Sequence, residues 1–551
     1  MKFEVINIDP RLNAITDYPG FLIRELDRLS NALESKNQEL LEEKNKNRAL
    51  IDEINLLKGE QGLPKFSKKK NEKIDYSSEK ERKQPYNEKK GRRKRNFKIK
   101  NKEVEYCLIP PDQLPLDAEF KGYREVTVQD LIVKPRNIQY KIGVYYSRSE
   151  GKTYSGQRPD GYQDEFGAGV LSTIFSLKYE SNASNSAIHS FLTSNGIYIS
   201  LSTISRLSTK NLDKFHQEKR EVVLSGFKST LYQHIDDTGS LVNGSMHHTH
   251  ILCNPYYTAY FTTPKKDRLT VLKILSLGRD LLLQYDLIAF DLMKRFSIPE
   301  KLIESLRTPL TGKIITEKEL EEIFCSLSLK VKQKESLIRR LKEAGAISYY
   351  RTQKDFPVIE ILISDDAKQF SNIIEEQALC WIHAARHFKK INPLLPQNKI
   401  ILEEILKQIW EFYRDLLDYK ANPNQLTSQQ LENRFDKIFL QKTGYDILDK
   451  RLAMIFEKKS KLLLVLKHPE IPLHNNSAEL GARAKVRKRD VSLHTITNEG
   501  TEAVDTFMTI VQTAKKLNVN ISEYFRDRIC NNNQIERLSN IILRIAGISN
   551  N

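Results

Sequence analysis

Apolar residues between positions 22 and 58 recur at alternating spacings of three and four, the pattern of a helix with a coiled-coil seam. Leu26, Leu29, Leu33, Leu40, Leu50, Ile54 and Leu57 occupy the seam, and Lys36, Glu43 and Asn47 interrupt it. Asn47 shares the register of Leu26, Leu33 and Leu40, where a buried Asn favours a parallel dimer. A helix packed against its own chain is the competing reading. Residues 1–65 are therefore expected to form an N-terminal helical region.

Periodicity stops at 66–103, a polar stretch with too few apolar residues for a core. From 104 to 160 apolar and polar residues alternate (VEYCLIP, YREVTVQDLIV, IQYKIGVYYS) among Pro110, Pro111, Pro115 and Pro135, which predicts a small β module. Residues 161–225 read as helical. Within them Asn185 to Phe191 and Leu201 to Leu207, separated by a turn at Gly196, have helix-turn-helix rhythm, with Ser200 as the second helix's N-cap. Ser202, Thr203 and Arg206 could then face DNA, although a purely structural helical hairpin fits equally well.

Strand patterning begins at Leu231 and ends on Asp236-Asp237, followed by HTHILC (248–253) and YTAYFTTP (257–264), then by a helix from Asp267. Three antiparallel strands and a helix are how an RNase H-like fold opens. Residues 279–355 read as a mostly helical insertion whose last stretch, ESLIRRLKEAGAISYYRT, suits a helix plus hairpin. The apolar run Val358 to Ser364 predicts a central strand covered on both faces, and it too ends in a carboxylate pair, Asp365-Asp366. A second helical insertion spans 396–465. The expected fold class is α/β: an RNase H-like core over 226–515 with large helical insertions. A coiled-coil helix, a linker, a β module and a helix-turn-helix-like segment precede it, and a helical tail, 516–551, follows.

Charge sharpens this picture. Of the formal +17 carried by 551 residues, the linker 66–103 supplies most, with sixteen Lys and Arg against six Asp and Glu. Its densest run is Lys89, Lys90, Arg92, Arg93, Lys94 and Arg95. Such a segment can neutralise phosphates whatever the base sequence, or serve as a solvated tether. No apolar stretch reaches membrane-span length and the N-terminus lacks a signal-peptide core, so a cytoplasmic location is expected. Five cysteines with no CxxC exclude a disulfide framework and a cysteine zinc site.

The two carboxylate pairs carry the candidate chemistry. Taken alone, an Asp at a strand end is a turn or cap residue; two pairs in matching contexts point further. Carboxylates held close stay ionised together only with a cation between them. Hard oxygen ligands select Mg²⁺ or Mn²⁺, and two such ions about 4 Å apart can activate an attacking oxygen and stabilise a leaving one. A third ligand can come from the segment 468–495, where Asn475-Asn476-Ser477 caps a helix with Glu479 in its first turn. Arg483 and Arg487 follow on the same face, so Glu479 could serve the metals while Arg483, Lys485, Arg487, Lys488 and Arg489 meet DNA phosphates. A solvated basic helix with an ordinary ion pair is the plainer alternative. Cys380, His383 and His387 could share a helical face as metal ligands. With no fourth ligand nearby, a structural or DNA-end-positioning role is favoured and zinc is not expected. His247, His248 and His250 are read as facing solvent or substrate.

In order along the chain, leucine heptads lead into a basic linker, then IDDTG (235–239), ISDDAKQF (363–370) with LCWIHAARHF (379–388), and NNSAELGARAKVRKR (475–489). This set resembles the insertion-sequence sixty-six family of bacterial transposases, the TnpC-type proteins. The resemblance implies a DDE-type DNA transposase with Asp236, Asp365 and Glu479 as metal-binding catalytic acids, and Asp237 and Asp366 as alternates. It also implies two Mg²⁺ or Mn²⁺ ions per site, double-stranded DNA (transposon ends and target) as substrate, a homodimer or higher oligomer, and a nucleoid-associated place in a bacterial cytoplasm. One departure stands out: members often carry a cysteine zinc module before the catalytic domain, and 104–160 holds only Cys107. The rival expectations are a catalytically inactive, domesticated DNA-binding protein and a different RNase H-fold nuclease such as a resolvase.

Overall fold

The computed structural model describes residues 18–57 and 104–548, apart from 111, 112, 114, 116, 117, 125 and 327–334. The basic run from Lys89 to Arg95 lies outside the described residues.

A mixed sheet forms the centre of a mostly helical α/β body. Its strands are β1 (Tyr232–Val242), β2 (Ser245–Cys253), β3 (Thr258–Thr263), β4 (Ile361–Ser364) and β5 (Glu376–Leu379), in the order β3-β2-β1-β4-β5. The first three form an antiparallel meander; β4 and β5 join in parallel. Asn243 and Gly244 make the tight β1–β2 turn, both at positive φ (47° and 74°), the conformation that an Asn-Gly pair adopts at least cost. β4 is shorter than its apolar run, yet all four of its residues are buried. Ile361 and Ile363 pack with Trp381, Phe412 and Phe435 on one face, and Leu362 joins the main core on the other. This is the doubly covered central strand that the run predicts.

Around the sheet lie α2 (Asp213–Ser229), α3 (Arg268–Leu275), α4 (Trp381–Lys389), α5 (Asn476–Ser492) and α6 (Asn498–Lys516). The outer edge of β3 would leave a row of backbone N–H groups unpaired. Side chains of α6 take them: Thr513 accepts from Thr258 N (3.2 Å), Thr509 from Tyr260 N (3.1 Å) and Asp505 from Thr262 N (2.6 Å). Two residues of strand advance about 6.7 Å and four of helix about 6 Å, so the two rows stay in step.

The helix-turn-helix-like pair forms as expected, Asn185–Ser194 and Leu201–Leu207, with Gly196 at φ 79° and Ser200 Oγ accepting from Thr203 N. Ser202 and Arg206 are exposed; Thr203 is half-buried.

Three expectations are corrected. Among the described residues of 104–160 the only strands are a short hairpin, Val144–Ser147 with Lys152–Ser155, in place of the expected β module. The alternation is present, but prolines remove donors and no core receives the apolar side chains, so Val126, Val128 and Leu131 stand in solvent. The segment Glu335–Thr352 is one continuous helix, with no hairpin. The C-terminal helices Ile521–Ile529 and Leu538–Ile545 are not an appended tail, because Tyr524, Phe525, Leu538 and Ile542 are buried in the main core.

Helix α1 (Tyr18–Leu57) keeps its seam residues Leu26, Leu29, Leu33 and Leu40 exposed and docks through a polar face. The Glu34 carboxylate, 1% exposed, accepts from Leu394 N and Leu395 N at the start of helix Pro396–Ala421. Asn31 accepts from Asp446 N at the start of helix Asp446–Phe456. Unpaired N–H groups and the helix dipole make such ends natural seats for oxygen ligands. Among the described residues no helix is long and apolar enough to cross a membrane.

Candidate active site

Side chains alternate across a strand, so β1 sends His234 and Asp236 to one face and Ile235 and Asp237 to the other. Helix α5 lies on the Asp236 side of the sheet. Its Gly481 approaches so closely that an added Cβ would sit 2.7 Å from Ile251 Cγ2 of β2, in register with Asp236. At the head of α5, Asn475 is fully buried and tied to β1: its Nδ2 donates to Ile235 O (2.7 Å) and its Oδ1 lies 2.9 Å from His234 Nδ1. Asn475 thus does not cap the helix with its side chain, as the sequence had implied; it clamps the helix start to the strand. Cys380 Sγ accepts from Asn475 N (3.2 Å), which ties the end of β5 to the same point. These contacts bring the first turn of α5, with Glu479, to the middle of β1 and the end of β4. Strand β1 does not stop at Asp236-Asp237, as the pattern predicts, but runs on to Val242 because β2 pairs with it that far.

Asp236, Asp365 and Glu479 therefore share one electrostatic environment. Burial pushes the Asp236 carboxyl up to about 7, opposed by the hydrogen bond from Asp237 N and reinforced by the charges of Asp365, Asp237 and Glu479. Burial also raises Asp365, partly offset by a hydrogen bond from Ala367 N (3.1 Å) and by nearby His383. Glu479 is 12% exposed, and its Oε1 is buried without a hydrogen bond. The alternates are engaged elsewhere. Asp237 accepts from Gln369 Nε2 (2.6 Å) and pairs with Lys266 (3.6 Å), while Asp366 is ion-paired with Lys458.

Helix α4 supplies the rest of the wall. His383 Nδ1 lies 3.7 Å from Glu479 Oε1, and Arg386 Nη2 lies 3.5 Å from Oε2. Cys380, His383 and Glu479 offer ligand atoms within 4.8 Å of one another. His387 is apart from this group and lines a cavity of about 400 Å³ with Asp365, Arg386, Lys390 and Lys458. Burial pushes the Cys380 thiol up to about 11.

The basic face of α5 is split. Arg483 and Arg487 are exposed, as a phosphate-facing row requires. Lys485 is 6% exposed and paired with Asp505 (3.2 Å). Lys488 is 3% exposed and donates to Lys178 O (2.5 Å), and burial pulls its pKa down to about 7. Arg489 donates to Gly239 O. Lys485, Lys488 and Arg489 are thus structural here, a correction to their reading as DNA contacts: the helix packs one side on the sheet, and a charged residue on that side must pair inward. His250 is likewise buried, its Nε2 3.1 Å from Thr263 Oγ1, and does not face solvent.

The profile described as "Transposase IS66 family" matches residues 351–503, a stretch that holds Asp365, Cys380, His383, Arg386 and Glu479. An uncharacterized protein, y4jO, of Sinorhizobium fredii is 32% identical over 308 residues, 55% of this chain and 94% of that protein. The chain belongs to the IS66 transposase family. Membership places it among DNA-processing enzymes. A shorter similarity, 33% over 101 residues, links the IS66-family chain to Genetic interactor of prohibitin 5, mitochondrial, of Kluyveromyces lactis; it spans 18% of this chain and 32% of that protein. Sequence reasoning missed Arg386, Lys458 and the clamp role of Asn475. Arg386 had a legible signal, since i+3 from His383 places it on the same helical face.

Proposed function

We propose that this IS66-family chain is a DDE-type DNA transposase that cleaves transposon ends and joins them to target DNA, with Asp236, Asp365 and Glu479 as its catalytic acids. The observation that carries this reading is their convergence: three carboxyls more than a hundred residues apart in sequence come together from the middle of β1, the end of β4 and the first turn of α5. The order β3-β2-β1-β4-β5, with a meander followed by two parallel strands, supports assignment of the sheet as an RNase H-like core.

The donors present suit divalent cations. Asp236 is driven towards protonation by burial and by its acidic neighbours, and Glu479 Oε1 has no hydrogen-bond donor. Both are the condition of carboxylates that a cation would stabilise. Asp236, Asp365 and Glu479 would hold Mg²⁺ or Mn²⁺, which when bound supply activation of the attacking oxygen and charge stabilisation at the leaving one. The chain's own residues do the remaining work. Asn475 fixes Glu479 against β1, and Lys266 and Gln369 engage the Asp237 carboxylate. Exposed Arg483 and Arg487, with Ser202 and Arg206, supply phosphate-facing contacts, and the run Lys89–Arg95 adds sequence-independent affinity. Joining two ends requires more than one protomer, and the exposed leucine seam of α1 offers the contact.

The test is an in vitro joining reaction with purified full-length protein, a labelled transposon end, plasmid target and Mg²⁺ or Mn²⁺. Metal-dependent joining that Asp236→Ala, Asp365→Ala and Glu479→Ala each abolish is expected. Binding of the end without cutting would instead make the chain a non-catalytic DNA-binding protein, and cutting without joining a nuclease.

A further inference from the structure

On the transposase reading, Glu479 meets a divalent cation; here its two carboxylate oxygens face Arg386 and His383 instead. The hydrogen bonding fixes the state of this group. Arg386 Nη1 lies 2.8 Å from His383 Nε2. A guanidinium has only donors, so Nε2 must accept, and a neutral ring that accepts at Nε2 carries its proton on Nδ1. That Nδ1–H group lies 3.7 Å from Glu479 Oε1, without a hydrogen bond, while Arg386 Nη2 lies 3.5 Å from Oε2. Both oxygens are thus covered by positive ends, and both separations are too long for locked hydrogen bonds. The same tautomer argues against His383 Nδ1 as a metal ligand, because its lone pair is taken by the proton.

Arg386 also reaches solvent. Its side chain is 46% exposed and borders the cavity of about 400 Å³ that runs from Asp365 past Lys390 and Lys458. A phosphate of bound DNA in this cavity would find Arg386, Lys390 and Lys458 in its lining together with Asp365.

We propose that Arg386 is a placeholder for the cation at Glu479: it holds the carboxylate in position before metal arrives and turns to a DNA phosphate in the adjoining cavity once metal is bound, with His383 keeping Glu479 aligned throughout. Arg386 acts on the reaction through Glu479 and is in that role a positioning residue. The inference rests on the transposase reading of the acids and adds to it an order of events, in which metal and Arg386 compete for one carboxylate.

Competition makes a prediction that an ordinary structural arginine would not. Mn²⁺ binding to the full-length protein without DNA is titrated by electron paramagnetic resonance for wild type, Arg386→Ala, Arg386→Gln and Asp365→Asn. Removing the competing charge is expected to tighten Mn²⁺ binding about three- to ten-fold in both Arg386 variants. End cleavage at saturating Mn²⁺ should fall by about 100-fold, because the phosphate contact is lost. Arg386→Gln keeps the side-chain length, so a folding defect peculiar to the alanine variant would not obscure the result. Unchanged or weaker Mn²⁺ binding in Arg386→Gln would overturn the placeholder while leaving the acids intact. Absence of any Mn²⁺ binding that Asp365→Asn removes would overturn the metal-binding reading of the acids and the placeholder with it.

Discussion

The same dipeptide, Asp-Asp, lies in the middle of β1 and just past the end of β4, and in each pair the two aspartates lead different lives. Asp236 and Asp365 turn towards α5 and α4, where burial above all, and neighbouring carboxylates after it, raise their carboxyls. Asp237 is taken up by Gln369 and Lys266, and Asp366 by Lys458. Strand parity separates the first pair, and an ion pair at the rim of the second holds Asp366 outward. The comparison teaches that a charge unpaired by the protein, next to one carefully paired, marks where an external cation belongs.

The comparison breaks most visibly in cleavage. Asp236→Ala or Asp365→Ala should reduce metal-dependent end cleavage by about 1000-fold or more, measured in single turnover, with the thermal transition retained. Loss of activity on mutation of Asp237 or Asp366 instead would reverse the assignment. Next in size is the clamp. Asn475→Ala leaves Ile235 O and His234 without their partner, at a cost of about 2 kcal/mol in denaturant unfolding. Cleavage should fall about 10- to 100-fold as Glu479 loses its registration.

A smaller effect follows from pH. Asp236 is raised to about 7 in the folded chain, so the native state keeps its proton where the unfolded chain has lost it. Its contribution is fully present below the unfolded carboxylate range and is lost as pH rises through about 7. Metal-free protein should therefore lose stability between about pH 4 and 7, about 1–2 kcal/mol of which Asp236→Asn removes, whereas Asp237→Asn leaves the slope in place. Thermal melts across that range decide it. Smallest of all, Asp237→Asn and Asp366→Asn should change cleavage by no more than about ten-fold, since each loses only a contact at the rim.

Much of this was written in local pattern. Ser200 capping its helix and the apolar run before Asp365 each depend on nearest neighbours, and each is found where the pattern put it. The paired carboxylates were visible for the same reason. What was not legible depends on which face of an element meets the rest of the chain. The leucines of α1 suggested its buried side, yet Glu34 and Asn31 dock and the leucines do not, because two helix starts on the insertion call for oxygen ligands. Lys485 and Lys488 looked like DNA contacts until the packing of α5 turned them inward. Strand β5, EQAL, has no β-branched residue and is a strand only because β4 offers it a parallel partner. Alternation over 104–160 promised a β module, yet among its described residues only the hairpin Val144–Ser147 with Lys152–Ser155 finds strand partners.

The most direct test of the central claim is anomalous diffraction from crystals of the full chain equilibrated with Mn²⁺. The account predicts anomalous density in contact with Asp236, Asp365 and Glu479, lost in Asp365→Asn crystals treated alike. Density at Asp237 or Asp366 instead, or none beside the three acids at saturating Mn²⁺, would contradict it.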